Sequence, residues 1–488
     1  MRIIGNRGNT ARRVQAVASG ALASGDTVVV NADGTVSVVA TSSGTQSLGS
    51  PTVFESDKIT STTGVTYDSS AQKIVISYHD FNNSRYGTAI VGTVSGTSIS
   101  FGSPVVFQTS NVDDMSTTFD SSNNKVVFVW NNSGSSCRAV VGTVSGTSIS
   151  FGSAVVVNNA AAYSTAATFD STNNKVVVAY RDSNNSNHGT AKVGTVSGTS
   201  ISFGSAVVFQ TSKVGFLTAT FDSSNNKVVI AYMDDDNSDY GKAIVGTVSG
   251  TSISFGSAAT FNENITQSNI SAAYDDNAQK VIIAYSDGSD SSRGEAVVAT
   301  VSGTSITFGS QVEFEGGIVK FISTVYDANA KKIVIAYQDD SDSDKGKLIV
   351  GTVSGTSISF GDIGADVVTF ESGVTSIITA AYDSNENKVV IAYRDEGNSD
   401  HGTCVVFQNA FSNLNLTSEN FIGIASNGYA SGQAATINAK GFVDDNQSSL
   451  TAGQSYFVQT NGDLGTTAAD PSVFAGTAVS ATKLIVKG

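Results

Sequence analysis

Short runs of Val, Ile and Ala alternate with polar turns rich in Ser, Asn, Gly and Asp along most of the chain. Alternating small and apolar residues predict a first strand at Ser164–Phe169, and a continuous Val run predicts a buried second strand at Lys175–Tyr180. Thr190–Val196 and Ile201–Phe209 predict a third and a fourth strand after further turns. The pattern therefore predicts four short antiparallel strands within about 52 residues.

The segment that marks this pattern occurs seven times. An aromatic–Asp pair, followed by a polar turn and a β-run, recurs at intervals of 50 to 56 residues. The aromatic residues that mark repeats one to seven are Tyr67, Phe119, Phe169, Phe221, Tyr274, Tyr326 and Tyr382. A second segment, Gly-Thr-Val-Ser-Gly-Thr-Ser, lies between most of these pairs, with a variant starting at Ala299. Repeats of this length, built from short strands, indicate a propeller or a solenoid.

The two ends of the repeat region complement each other. Repeat seven ends after its third strand, at Thr403–Gln408, whereas Ser47–Phe54 matches the fourth strand of repeat one, Ser100–Phe107, position by position. A strand taken from before repeat one would close a ring and remove its free edge. We therefore expect an all-β fold, a seven-bladed β-propeller at residues 44–409 that is closed by an N-terminal outer strand. An open solenoid would need capping repeats, and neither end of the sequence shows one.

Residues 1–43 and 410–488 lie outside the repeat. Each contains Leu-x-x-Gly followed by a strand, a Gly-containing turn and a second strand, beginning at Leu22 and at Leu450. We expect an N-terminal arm with a hairpin and a C-terminal β-rich module, packed as one small β-domain, unless the likeness of two Gly-rich hairpins is coincidental. The first 13 residues carry four arginines and no acid, which is typical of a docking arm or of a solvated terminus: Arg2, Arg7, Arg12 and Arg13.

Composition excludes some functions. The net charge is −15 and only 14% of residues are charged, so the chain lacks the basic stripe that nucleic-acid binding needs. No run of 18 apolar residues and no apolar N-terminal signal is present, so we expect neither membrane insertion nor signal-dependent secretion.

Variation among the repeats is concentrated in the loops of one predicted face. The turns after the first and third strands hardly vary, whereas the loops after the second and fourth strands do. Apolar residues in these loops predict either a contact patch or a plug of the central channel. The polar and aromatic residues at the tips of these loops differ from repeat to repeat, which suits recognition of a surface or a glycan. Neutral drift of exposed loops predicts the same variety. The candidate binding residues are Phe216, Leu217, Val319, Phe321, Tyr86, His188, Tyr240, Arg181 and Arg394.

One loop has the spacing of a metal site. Asp340, Asp342 and Asp344 stand at the 1, 3, 5 spacing of a calcium loop, but the glycine falls one position late and no Glu occupies position 12. A solvated acidic turn is the alternative, and we expect no other cofactor.

Catalysis is not indicated by the sequence. His79, His188 and His401 belong to loops of different repeats, and the Asp of each Tyr-x-Asp triplet recurs as a turn-forming residue would. Arg181 and Arg394 come from repeats three and seven, and no third arginine completes a sialidase-like cluster. We therefore expect a non-enzymatic protein.

The sequence of the repeats, as in Lys227–Tyr232 and Gly246–Gly256, resembles β-propeller repeats of tail-fibre or appendage proteins of marine bacteriophages. Leu450–Gln459 and Phe474–Val486 look like a terminal module found on such fibres. The resemblance implies a virion structural protein, often a homo-oligomer, that displays a binding face and supplies no catalytic residues.

Together these features predict a bacteriophage fibre or appendage protein, made in the host cytoplasm and carried on the virion. Its propeller would present the variable face to a host surface or glycan, and residues 1–43 and 410–488 would contact other virion proteins. A decoration protein without a receptor role is one alternative. A secreted glycan-binding or glycan-cleaving propeller is another.

Overall fold

The computed structural model describes residues 2–4, 13–60, 64–288, 292–362 and 366–487. The chain divides into two compact units, one formed by residues 46–409 and the other by residues 1–45 with 410–488. Arg7 and Arg12 of the expected arginine-rich arm lie outside the described residues. Among the described residues no helix has both the length and the apolar character needed to cross a membrane.

Each repeat of the larger unit places four antiparallel strands side by side. The first strands of repeats one to three are Gly64–Asp68, Asp113–Asp120 and Ala162–Asp170. The second strands, each beginning at a Lys, are Lys73–Asp80, Lys125–Asn132, Lys175–Asp182, Lys227–Asp234, Lys280–Asp287, Lys332–Asp339 and Lys388–Asp395. The third strands are Tyr86–Ser95, Ser136–Ser145, His188–Ser197, Tyr240–Ser249, Arg293–Ser302, Lys345–Ser354 and His401–Gln408.

The outer strands are split by a Gly-containing step, which the sequence pattern did not predict. Their first parts are Ser98–Phe101, Ser148–Phe151, Ser200–Phe203, Ser252–Phe255, Ser305–Phe308 and Ser357–Phe360. The second parts in repeats one and two are Val105–Asn111 and Val155–Asn158. In the later repeats the second part runs on into the first strand of the next repeat, giving Val207–Asp222, Ala259–Asp275, Val312–Asp327 and Val368–Asp383. Phe216, Leu217, Val319 and Phe321, which were predicted to lie in loops, are therefore strand residues, because the chain passes between neighbouring sheets without a turn.

The outer strand of repeat seven comes from the other end of the repeat region. Ser47–Leu48 and Thr52–Lys58 pair antiparallel with His401–Gln408. The apolar core likewise joins the two ends, since Ile74 and Ile76 of repeat one share a buried cluster with Val390 and Ala392 of repeat seven.

Neighbouring sheets pack face to face along the larger unit. The second strands are buried on both faces, which explains their continuous apolar runs. Val177 and Ala179 of repeat three, for example, pack with Val228 and Ile230 of repeat four. Hydroxyl groups also link adjacent first strands, as where Thr324 N donates to Ser271 Oγ at 2.8 Å. Consecutive four-stranded antiparallel sheets stacked in this way form a β-propeller.

The aromatic–Asp pairs fix the turns between first and second strands. Asp120 is buried, and its Oδ1 accepts hydrogen bonds from the backbone N–H of Ser122 at 2.9 Å and of Asn123 at 3.0 Å. The aromatic partner contacts the preceding repeat, as Tyr382 does when its hydroxyl accepts from Asn329 N at 3.1 Å. The pair is thus a scaffold element that both caps a turn and joins two repeats.

The smaller unit combines both chain ends. One sheet contains the strands Arg2–Ile4, Arg13–Val17, Ala434–Asn438, Phe421–Ala425, Thr27–Val30 and Val36–Val38, in that order. A second contains Val443–Asp444, Lys483–Val486, Phe474–Ser480, Ser455–Val458 and Leu464–Gly465, and a two-stranded ribbon pairs Thr41–Gly44 with Phe411–Leu414. Thr27 Oγ1 donates to Gly462 O at 2.6 Å, so the N-terminal and C-terminal hairpins pack together.

Candidate functional site

A cavity of about 520 Å³ lies between repeats six and seven of the propeller. Its walls come from first strands, from the ends of second strands and from the loops that follow them, which belong to the predicted variable face. The lining residues are Thr60, Lys320, Phe321, Gln338, Asp340, Asp344, Val374, Ser376, Ile377, Arg394 and Glu396.

The loops beside the cavity are held by the Asp that ends each second strand. Asp339 Oδ1 accepts two backbone N–H groups of its loop, at 3.0 and 3.1 Å, and Asp395 Oδ1 accepts one at 3.0 Å. Short 3₁₀ turns follow, at Asp340–Asp342 and Glu396–Asn398. The Asp of the Tyr-x-Asp triplet is therefore a backbone cap, as its recurrence predicted, and the residues after it are free to vary.

Bulges in the first strands supply the apolar part of the cavity wall. The strand pairing of repeats six and seven skips two residues there. Phe321 and Ile377 open these bulges with φ values of +50° and +56°. Left-handed backbone costs an L-residue about 1–2 kcal/mol, and the bulge recurs with positive φ at Asp114, Ser164 and Phe216 of repeats two to four. Two large apolar side chains are thus held against the cavity at an energetic cost.

The acids of repeat six form a linked group. Lys320 Nζ lies 2.5 Å from Asp340 Oδ1, and Asp340 in turn hydrogen-bonds Asp344. The hydrogen bond from Lys320 lowers the pKa of Asp340. Burial, together with the neighbouring Asp340 carboxylate, raises the pKa of Asp344. The pKa values of the two carboxyl groups therefore shift in opposite directions, and Asp344 holds a proton more readily than Asp340 does.

The arginine of repeat seven is also paired. Arg394 Nη2 contacts Glu396 Oε1, which accepts a further hydrogen bond from Ser376 Oγ at 2.6 Å. Arg394 Nε lies 3.4 Å from Asp400 Oδ1. Burial opposes the ionisation of Glu396, but the Ser376 hydrogen bond and the Arg394 guanidinium outweigh it and lower the pKa of that carboxyl. The guanidinium is therefore fixed in place with its charge balanced.

Gln338 is, with Ser376, a buried polar residue of the cavity lining. Its side chain is only 4% exposed, and Nε2 donates to the backbone oxygen of Thr375. Its Oε1 has no hydrogen-bond partner within the described part of the chain. A buried amide oxygen without a partner costs about 1–3 kcal/mol, so a ligand hydroxyl that donated to it would offset this cost.

The structure brings four of the predicted residues together at this cavity and separates the others. Phe321 and Arg394, two of the predicted binding residues, line it with Asp340 and Asp344 of the expected calcium loop. Phe216 and Leu217 instead line a second cavity of about 450 Å³, which all seven repeats border at the inner strands.

Two of the predicted contact residues are not exposed. Val319 has no exposed surface and Leu217 only 8%, whereas Phe216 is 39% exposed. The bulge explains the difference, because it reverses the alternation of inward and outward side chains at the residue that precedes Leu217. Val319 packs in the core between repeats five and six, so the prediction of a surface role for it is wrong.

The remaining predicted residues lie at other repeats. Tyr86, His188 and Tyr240 are the half-buried first residues of third strands. Arg181 stacks on Tyr163, with its guanidinium carbon 4.9 Å from the ring centroid. None of these residues lines the cavity between repeats six and seven.

The expected calcium loop is not assembled as a metal site. Lysine ammonium groups take its carboxylate oxygens, since Asp340 contacts Lys320 and Asp342 contacts both Lys345 at 2.9 Å and Lys347 at 2.8 Å. Across the residues that the structure describes, no group of three or more His, Cys, Asp and Glu side chains could hold a metal ion.

Several lining residues were not selected from the sequence. Lys320, Ser376 and Ile377 belong to segments that read as fourth-to-first connections, and Glu396 follows the capping Asp. Gln338 occupies the variable middle position of Tyr-x-Asp, which was the available signal. Five of the seven residues at this position are buried, so the position alone does not show which of them borders a cavity: His79, Asn131, Met233, Ser286 and Gln338.

Comparisons with known proteins support the fold. No protein-family model and no curated protein matches the chain. The BP39L lectin from Burkholderia pseudomallei, a β-propeller, is similar over 73% of this chain and 98% of its own, with 8% identity and a TM-score of 0.55. A leech intramolecular trans-sialidase is similar over 76% of this chain and 71% of its own, with 10% identity and a TM-score of 0.43. AofleA from Arthrobotrys oligospora is similar over 70% of this chain and 95% of its own, with 8% identity and a TM-score of 0.41.

Proposed function

We propose that this chain is a non-enzymatic carbohydrate-binding propeller whose sugar site is the cavity between repeats six and seven. The observation that carries the proposal is Gln338, a buried amide in the cavity lining whose Oε1 has no partner among the described residues. A propeller that resembles a lectin in fold is a suitable scaffold for such a site, although fold alone assigns no function.

The cavity has the size and the mixture of groups that a sugar requires. Its volume of about 520 Å³ falls within the usual range for small-molecule sites. Phe321, Val374 and Ile377 offer apolar surface to the C–H face of a pyranose ring, while Gln338 and Asp344 offer acceptors to its hydroxyl groups. Because the loops are capped and the ion pairs are already formed, binding needs little further ordering of the protein.

The proposed propeller is a closed ring of seven blades. Seven sequence repeats, the pairing of Thr52–Lys58 with His401–Gln408 and the shared core of repeats one and seven support this count. Closure gives the third strand of repeat seven an outer partner, so that repeat seven has the same four strands as the other repeats.

We further propose that the protein is an appendage of a bacteriophage particle and binds glycans of a host surface. The support is the resemblance of the repeats, and of Leu450–Gln459 and Phe474–Val486, to phage fibre sequences. The smaller unit, residues 1–45 and 410–488, would then attach the propeller to other virion proteins, and the propeller would act as an oligomer.

A glycan array followed by calorimetry tests the carbohydrate site. We expect the intact protein to bind a subset of glycans and Gln338→Ala to lose at least about 10-fold in affinity. Asn131→Ala is the matched control, because Asn131 is a buried amide at the same position of repeat two. The proposal fails if no glycan binds, or if both variants bind as the parent does. Release of new reducing ends from a bound glycan would instead indicate an enzyme.

A further inference from the structure

Carboxyl groups outnumber cationic groups in the cavity between repeats six and seven. Three carboxyl groups line it, those of Asp340, Asp344 and Glu396, against two cationic groups, those of Lys320 and Arg394. Both cations already contact a carboxylate, Lys320 that of Asp340 and Arg394 that of Glu396. An incoming anion would therefore have to compete with a carboxylate that is already in place.

From this arrangement we infer that the cavity selects uncharged, hydroxyl-rich sugars and rejects sugars that carry a carboxylate. The inference rests on the proposed carbohydrate-binding function and adds the class of sugar.

Gln338 Oε1 and the carboxyl group of Asp344 are acceptors left over for a ligand, while Arg394 Nε, the donor without a hydrogen bond among the described lining residues, lies 3.4 Å from the Asp400 carboxylate. Gln338 Nε2 is used by the Thr375 backbone oxygen, whereas Gln338 Oε1 has no partner in the described ranges. Asp344 makes no lysine contact that the structure shows, and its carboxyl group reaches Asp340 and the cavity. A sugar hydroxyl can donate to either oxygen, but a sugar carboxylate has no proton to donate at neutral pH. Placing it beside the carboxyl pair of Asp340 and Asp344 would also add like-charge repulsion.

Repeat four shows that the acids alone do not build this site. Asp235 and Asp239 occupy the positions of Asp340 and Asp344 and hydrogen-bond each other in the same way. There, however, Met233 stands at the position of Gln338 and is packed in the core. Asp239→Asn thus removes a paired acid of the same type away from the cavity and serves as a control for general effects of charge.

Matched sugar pairs test the selectivity. Methyl glucoside, galactoside and mannoside would be compared by calorimetry with the corresponding methyl uronides, which differ only by oxidation at C6, and with N-acetylneuraminic acid. For at least one pair we expect the neutral sugar to bind at least about 10-fold more tightly at pH 7. Glu396→Gln should narrow this ratio, because Arg394 Nη2 then loses its carboxylate partner and can contact a sugar carboxylate. Asp344→Asn should narrow it as well without disturbing the arginine pair, and Asp239→Asn should leave it unchanged.

The outcomes separate the inference from the function on which it rests. If a uronide or N-acetylneuraminic acid binds as tightly as the neutral sugars and Gln338→Ala abolishes that binding, the cavity is a sugar site and the selectivity is wrong. A ratio that stays the same in both Glu396→Gln and Asp344→Asn, with thermal unfolding showing both variants folded, also overturns it. If neither neutral nor acidic sugars bind the parent protein in solution or on the array, the proposed function itself fails.

Discussion

Gly49 lies against the carbonyl oxygen of Thr97, so closely that a Cβ added at Gly49 would be 1.9 Å from that oxygen. Gly102 and Thr147 make the same contact between repeats one and two, at 1.8 Å. Gly49 precedes repeat one, and Thr97 belongs to repeat one. Their contact is nevertheless the same as the contact between Gly102 of repeat one and Thr147 of repeat two. The strand from before the repeats therefore sits against repeat one as an ordinary outer strand does.

Gly49→Ala is expected to destabilise the propeller by about 1–3 kcal/mol, because the added methyl group meets backbone and forces the strand to shift. Urea unfolding followed by circular dichroism measures the loss. Gly102→Ala should cost a similar amount. Gly361→Ala should cost less, since its Cβ would meet the movable side chain of Asp366 instead of a Thr carbonyl. If Gly49→Ala unfolds at the same urea concentration as the parent while Gly102→Ala is destabilised, the N-terminal strand does not pack against repeat one as described.

The sequence predicts the scaffold better than the site. Repetition predicts the strand order, the turn-capping Asp residues and the match of Ser47–Phe54 to an outer strand, because features shared by seven repeats can be told from features of a single repeat. The bulges do not follow, since nothing in residues 319–322 tells which side chain is turned to the cavity. As a result Val319 was expected at the surface but is in the core, while Ile377 was not considered although it lines the cavity.

The buried tyrosines of the second strands differ in whether their hydroxyl has a partner. Tyr337 Oη donates to Glu315 Oε2 at 3.0 Å, whereas Tyr232 Oη is buried without a partner among the described residues. Tyr337→Phe should therefore lower the free energy of unfolding by about 1–3 kcal/mol, because a hydrogen bond to a charged group is lost. Tyr232→Phe should be neutral or stabilising, because it removes a hydroxyl that gains nothing from folding. Equal costs in denaturant titrations of the two variants would contradict this account.

The pairing of repeats one and seven also predicts a response to alkaline pH. Burial and the Asp383 carboxylate raise the pKa of Tyr67 from 10.0 to about 12. A native pKa above the unfolded one means that the native state holds the proton longer. The stability contributed by Tyr67 is therefore complete below pH 10 and is lost as pH rises towards 12. Between pH 9 and pH 12 the urea midpoint of the parent should fall further than that of Tyr67→Phe, and parallel curves would argue against a contact between Tyr67 and Asp383.

Two adjacent isoleucines should respond to truncation in opposite ways. Ile377 adopts a φ of +56° and lines the cavity, whereas Ile378 is 7% exposed and packs in the core of repeat seven. Ile377→Gly relieves about 1–2 kcal/mol of left-handed strain and adds about 0.5–1 kcal/mol of backbone entropy cost, so stability should change little or rise. Ile378→Ala should cost about 2–5 kcal/mol through the lost apolar burial and the cavity left behind. Sugar binding should show the reverse order, with Ile377→Gly weakened by loss of the apolar wall and Ile378→Ala retaining affinity under conditions where it is folded. Urea unfolding and calorimetry on the same preparations check both halves. A large loss of stability in Ile377→Gly would mean that its side chain supports the fold instead of the site.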